Sequence, residues 1–195
     1  MSKRGSVVHL IHGAFNKNAS GWDALAAELI AAGCEAVIHD YGWVGPLTTR
    51  RRSRRVGHDL ATDIGPEDHV VAFSNGALVC WEALEAGMKC DRMLLIQPAL
   101  TKHAEFGPGA RSITVLYNRR DFAVQMARLW AWVNPVSWAW RHHWGAMGRY
   151  GPQTEDQRVR GIDTEREADT IGHTAWREEH AGYWLPRIVN LIEDQ

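Results

Sequence analysis

The sequence predicts an α/β domain built on a mostly parallel sheet of about six strands with helices on both faces. Three observations carry this expectation. Short, β-branched apolar runs recur along the chain. Stretches with helical spacing separate them, and glycine or proline marks the joins. At 195 residues the chain has the size of one domain, so we expect a single domain over residues 1–195.

The strand-like runs cover residues 6–11, 35–40, 69–73, 92–96, 112–117 and, less regularly, 157–163. Runs that are apolar on both faces suit parallel strands buried between two layers of helices. In residues 20–32, Trp22, Leu25, Leu29 and Ala32 fall on one helical face, and Gly33 ends the pattern. Further helices are expected over 53–64, 75–87 and about 181–193. In the last, Pro186 is costly in a helix interior and suits a first turn.

Composition excludes several classes. With 45% hydrophobic residues, 23% charged residues and a net charge of -1, the chain is neither disordered nor a general polyanion binder. The three cysteines, Cys34, Cys80 and Cys90, form no CxxC pair, so neither a disulfide framework nor a zinc site is expected. They read as buried thiols of a reducing compartment, and residues 1–11 do not resemble a signal peptide. A cytoplasmic location is the expectation. The longest apolar-leaning stretch, 123–140, is broken by Gln125, Arg128, Asn134 and Pro135, which argues against a membrane span.

The strongest local signal is Val70-Val71-Ala72-Phe73-Ser74-Asn75-Gly76-Ala77-Leu78. A strand runs into a small-x-Ser-x-Gly turn and then a helix, the pattern of a nucleophile elbow. The reversal is so tight that only small residues fit two positions either side of the serine, hence Ala72 and Gly76. Ser74 would stand exposed at the carboxyl edge of the sheet, with the Asn75 N–H facing the reacting oxygen. The alternative is that Ser74 merely caps the helix. A second signal is His9-Leu10-Ile11-His12-Gly13-Ala14-Phe15, where the first strand ends in a His-Gly turn.

With these two motifs the chain resembles the α/β-hydrolase superfamily, in particular its small esterases and lipases that lack a large cap. Ala72 stands where the family usually has Gly. The resemblance implies a three-layer α/β-hydrolase fold. It places an oxyanion-hole N–H at Ala14 or Phe15, beside that of Asn75, and leaves His12 to brace the turn. Such donors stabilise the negative charge of an acyl-transfer intermediate. Serine also needs a base, and the base an orienting acid, in the chain order Ser, acid, His. Asp121, in Asn118-Arg119-Arg120-Asp121-Phe122-Ala123-Val124, falls on the family's acid position. Asn118 replaces a family glycine there and suits a left-handed turn, while the two arginines raise the alternative of a simple ion pair. His173, in Ile171-Gly172-His173-Thr174, falls on the base position, and His180 is its competitor.

The resemblance therefore implies a serine hydrolase of carboxylic esters with Ser74, Asp121 and His173 as catalytic residues and no cofactor or metal. Thioesterase or amidase chemistry on the same triad stays open. So does a non-catalytic hydrolase-like scaffold that binds through Arg50-Arg51-Arg52-Ser53-Arg54-Arg55, although a solvated helix face also explains those arginines. Five of the ten tryptophans fall within residues 123–148. Part of this segment is expected to line an acyl pocket or form a small lid, with packing on the sheet as the plainer reading. Phe15, Trp43, Trp130, Trp132 and Trp138 are the candidate substrate-binding residues, which suggests a small-molecule ester with an apolar or aromatic moiety. Neither nucleic acid nor a membrane surface is an expected partner, and homo-oligomerisation is left open.

Overall fold

In the two central strands, side chains alternate between two apolar layers, and that alternation dictates the architecture. The computed structural model describes residues 6–14, 21–42, 49–124, 126, 145–169 and 172–193. The elements run β1 (Val7–Ile11), α1 (Asp23–Ala31), β2 (Glu35–His39), α2 (Thr49–Asp63), β3 (His69–Phe73) and α3 (Gly76–Glu85). They continue with β4 (Cys90–Ile96), β5 (Ala110–Tyr117), α4 (Met147–Tyr150), β6 (Val159–Asp163), α5 (Thr164–Ala168) and α6 (Ala181–Glu193). The six strands lie in the order β2-β1-β3-β4-β5-β6, and every neighbouring pair is parallel.

Because successive strand residues point to opposite faces, Val70 and Ala72 of β3 enter one layer with Leu60 of α2 and Leu78 of α3. Val71 and Phe73 enter the other with Leu25 of α1 and Trp184 of α6. All five residues of β3 are buried, as a central parallel strand requires. Three tryptophans, Trp22, Trp176 and Trp184, are fully buried, and Trp22 and Trp176 pack with ring centroids 5.6 Å apart.

Two local expectations are corrected. Pro186 lies in the second turn of α6 rather than its first. An interior proline costs about 3 kcal/mol. Burial of Trp184, Leu185, Ile188, Val189 and Ile192 along one stripe of α6 offsets this, at roughly 1.5–3 kcal/mol for each large apolar side chain. Helix α2 begins at Thr49 rather than at Ser53, so the whole arginine run falls within its first turns. Ser53 is fully buried while Arg51, Arg52, Arg54 and Arg55 are exposed, which is the pattern of a solvated helix face.

The three cysteines are free and buried, and burial pushes the Cys90 thiol up to about 12. Among the described residues, no helix is long and apolar enough to cross a membrane.

At the β1–β2 boundary, His9 Nδ1 lies 2.8 Å from His39 Nε2, and His9 Nε2 lies 3.3 Å from Asp68 Oδ2. Burial, then the neighbouring His9, lowers the His39 imidazole to about 4. The folded protein thus keeps His39 neutral where the unfolded chain protonates it near 6.5. Stability is therefore expected to fall as pH drops from about 6.5 to about 4, a loss that His39→Gln should make shallower. Urea midpoints measured across this range check it. An unchanged slope in the variant would show that His39 does not contribute.

Candidate active site

The β3–α3 junction is a tightly constrained turn. Ser74 has φ 53°, in the left-handed region that non-glycine residues rarely occupy. Its backbone is held on three sides. Its N–H donates to the Ile96 carbonyl at 2.9 Å, and its own carbonyl accepts from Ala77 N at 3.2 Å and Ala99 N at 3.1 Å. The turn also packs against the end of β1. A Cβ on Gly76 would lie 2.5 Å from the Ile11 oxygen and 2.7 Å from the His12 oxygen, so only glycine fits. Ala72 is fully buried. Asn75 follows as the N-cap residue of α3, is itself buried, and donates from Nδ2 to Ser53 Oγ at 3.4 Å.

The His12-Gly13-Ala14 turn abuts this serine. A Cβ on Gly13 would lie 3.1 Å from Ser74 Cβ. His12 is fully buried, donates from Nδ1 to the Gly13 carbonyl at 2.7 Å, and stacks on Tyr41 at 3.8 Å between centroids. The Tyr41 hydroxyl donates to the His12 carbonyl. Burial lowers the His12 imidazole below its ordinary range and pushes the Tyr41 phenol up. Both are therefore neutral near pH 7, which suits the bracing of a turn.

Two strands away, the loop after β5 presents Asp121. Its carboxylate is fully buried, accepts the Val124 N–H on Oδ1 at 2.9 Å, and lies with Oδ2 2.7 Å from His173 Nδ1. The preceding arginines turn elsewhere: Arg119 pairs with Asp163 at 3.2 Å and Arg120 with Glu165 at 2.9 Å. Asn118 does not adopt the left-handed turn expected of it. It is buried, accepts the Arg120 N–H on its side chain at 2.9 Å and donates to Thr164 Oγ1 at 3.1 Å, so it shapes the loop by hydrogen bonds instead. Its carbonyl accepts the Asp121 N–H at 3.0 Å.

His173 lies on the segment that leads to α6. Its imidazole packs on the Phe73 ring at 4.6 Å, next in sequence to Ser74. Arg177 lies over the same Phe73 ring, 5.2 Å from its centroid. The competing histidine, His180, makes backbone hydrogen bonds at the start of α6 and none to Asp121 among those described. Two supporting residues are not anticipated by the motifs. Gln97 has φ 45° and is buried at the carboxyl end of β4, and its Nε2 donates to the Gly172 carbonyl at 2.7 Å, which ties down the residue before His173. Tyr41 is the other. A polar residue that ends the apolar run 92–96 just before Pro98 is the one available signal for Gln97; Tyr41 has none.

Of the remaining candidates, Ala14 lies in the turn beside Ser74, whereas Phe15, Trp43, Trp130, Trp132 and Trp138 fall outside the described residues. Among the described residues no group of three or more His, Cys, Asp or Glu side chains is placed to hold a metal ion.

No family model matches the chain, and no curated protein matches it significantly. Solved structures do. One, from Xanthomonas campestris and described as a "putative hydrolase of the alpha/beta superfamily", shares 17% identity at a TM-score of 0.56 over 98% of this chain and 99% of that one. The chain has the α/β-hydrolase fold. An esterase from Pyrococcus furiosus aligns over 98% of this chain and 83% of its own, at 12% identity and a TM-score of 0.56. A pyrethroid hydrolase from Sphingobium faniae aligns over 97% and 98%, at 11% identity and a TM-score of 0.54. At such identities the likeness concerns the hydrolase fold, in which ligand-contacting groups gather at the carboxyl ends of the strands.

The packing at Gly76 yields a test. Gly76→Ala should destabilise the protein by about 1–3 kcal/mol through overpacking against β1, and should distort the Ser74 turn. Thermal unfolding measures the first effect. An unchanged melting temperature would mean that α3 does not press on β1 as described.

Proposed function

We propose that this chain is a serine hydrolase that cleaves carboxylic esters through an acyl-enzyme. The observation that carries the proposal is the 2.7 Å contact between His173 Nδ1 and the buried Asp121 carboxylate, on a ring that packs against the residue preceding a left-handed serine. A buried carboxylate that accepts from one imidazole nitrogen fixes the tautomer and leaves Nε2 as the basic site.

The steps follow from these groups. Ser74 Oγ attacks the ester carbonyl carbon as His173 Nε2 takes the hydroxyl proton. The negative charge that develops on the carbonyl oxygen is met by the backbone N–H of Asn75 and a second N–H from the turn at Ala14 or Phe15. The intermediate collapses, the bond to the alcohol breaks, and His173 returns its proton to the departing oxygen. Water, deprotonated by His173, then attacks the acyl carbon; the acid leaves and Ser74 regains its proton. Asp121 stays ionised throughout and stabilises the imidazolium. No metal or cofactor takes part in this scheme. The esterase and the pyrethroid hydrolase among the structural neighbours are in keeping with ester cleavage. We further propose a small ester with an apolar or aromatic moiety, held by Phe15, Trp43, Trp130, Trp132 and Trp138.

A fluorophosphonate probe should label the protein once, on Ser74, and labelling should vanish in Ser74→Ala. Absence of labelling in the folded wild type would overturn the proposal. Asp121→Asn should lower ester turnover by up to about 10⁴. His173→Ala should abolish turnover while His180→Ala leaves it largely intact; the reverse result would reassign the base. A panel of esters, thioesters and amides, compared by kcat/KM, identifies the acyl bond the site prefers.

A further inference from the structure

The sheet face shared by β4, β5 and β6 changes character halfway along its length, and both β5 and β6 change at the same rung. Leu116 and Ile162 are register partners in the apolar layer against α6. One rung toward the amino ends of the strands, the partners on that face are Thr114 and Arg160. One rung further, Ser112 pairs with Arg92 of β4, and Arg158, the residue before β6, lines the same concavity. A face built only to receive a helix would have continued the apolar pattern. Instead it presents two hydroxyls flanked by guanidinium groups.

This polar half forms the floor of a cavity of about 710 Å³, and Arg187 and Leu191 of α6 with Arg111 of β5 complete its wall. Five arginines therefore line one concavity, and among the described residues no carboxylate does. The neighbouring acids do not cancel them. Asp91 is shared between Arg92 at 3.6 Å and Arg111 at 2.9 Å, Asp156 binds Arg158 at 2.6 Å, and Glu167 reaches Arg187 only at 3.8 Å. Arg160 pairs with no carboxylate among the described residues; its Nε donates to Thr114 Oγ1 at 2.9 Å. Arg158 is spent on structure, since its N–H groups hold the carbonyls of Phe106, Gly107 and Ala110 as well as Asp156. Arg111, Arg160 and Arg187 are exposed and retain donors.

We propose that this cavity is a binding site for a small organic anion with two or more phosphate groups, separate from the Ser74 site. Phosphate oxygens fit the pattern because guanidinium forks bind them bidentately and hydroxyls donate to them. More than one phosphate fits because the donors occupy successive rungs, about 7 Å apart along the strands. The cavity volume suits one small molecule. The site lies toward the amino ends of the strands, whereas Ser74 follows the carboxyl end of β3, so its occupation need not block the serine. A plainer reading is that the arginines only keep the edge strand β6 from pairing with another chain.

Inorganic pyrophosphate is the probe, titrated calorimetrically into the full chain at constant ionic strength. Saturable binding of one equivalent is expected, weakened about tenfold or more in Arg160→Gln and again in Arg187→Gln. Arg54→Gln, on the exposed face of α2, should leave it unchanged. Circular dichroism shows that each variant is folded, and Arg187→Gln, on a helix surface, keeps the test alive if Arg160→Gln misfolds. Fluorophosphonate labelling of Ser74 should be the same in all variants. Absence of saturable binding, unchanged affinity in folded Arg160→Gln and Arg187→Gln, or equal weakening by Arg54→Gln would each overturn the proposal.

Discussion

The left-handed backbone at Ser74 constrains everything around it. A residue held in that region costs on the order of 1–3 kcal/mol, and it persists only when its surroundings leave no alternative. Here the surroundings are specific. The Ile96 carbonyl takes the serine N–H, the Ala77 and Ala99 N–H groups take its carbonyl, and the end of β1 closes on Gly76. Those contacts require β1, β3 and β4 to be adjacent and parallel, so the order of the sheet and the strain of one residue support each other. The strain in turn places the side chain beyond the strand end, where a reacting group can reach it.

The second constraint is electrostatic. Asp121 is a carboxylate without solvent, and a buried charge is tolerated only with hydrogen-bond partners. The Val124 N–H supplies one and His173 the other. Arg119 and Arg120, the nearest cations in sequence, are drawn away by Asp163 and Glu165. Had either arginine paired with Asp121, its guanidinium would have competed with the imidazole for the same carboxylate. The acidic residues around β6 and α5 thus influence the site without touching it, by taking the arginines off Asp121.

Much of this is legible in the sequence, for identifiable reasons. The strands and α6 are readable because buried parallel strands are short β-branched runs and α6 has an unbroken apolar stripe. Each strand-like run lies within two residues of the observed bounds at either end, and 69–73 coincides with β3. Ser74 is readable because a tight strand-to-helix turn restricts its neighbours to small residues. Asp121 and His173 are readable only through the order of elements that the resemblance supplies. What is not legible depends on contacts between distant segments. Nothing near Asn118 says that its side chain, and not a left-handed backbone, shapes the acid loop. Gln97 reaches Gly172 across 75 positions of sequence, and Tyr41 meets His12 across 29. The arginine-lined cavity is likewise hidden, since Arg92, Arg160 and Arg187 come together only when β4, β6 and α6 are assembled.

The account rests on Ser74, His173 and Asp121 acting on one reacting carbon. A crystal structure of the phosphonylated protein tests that most directly, because the phosphonyl group imitates the tetrahedral intermediate. The account requires phosphorus bonded to Ser74 Oγ, a phosphonyl oxygen within about 2.7–3.1 Å of the Asn75 N–H, and His173 Nε2 turned toward Ser74 Oγ with Nδ1 still on Asp121. An adduct on another side chain, or an oxygen directed away from Asn75 with His173 out of reach, would contradict it.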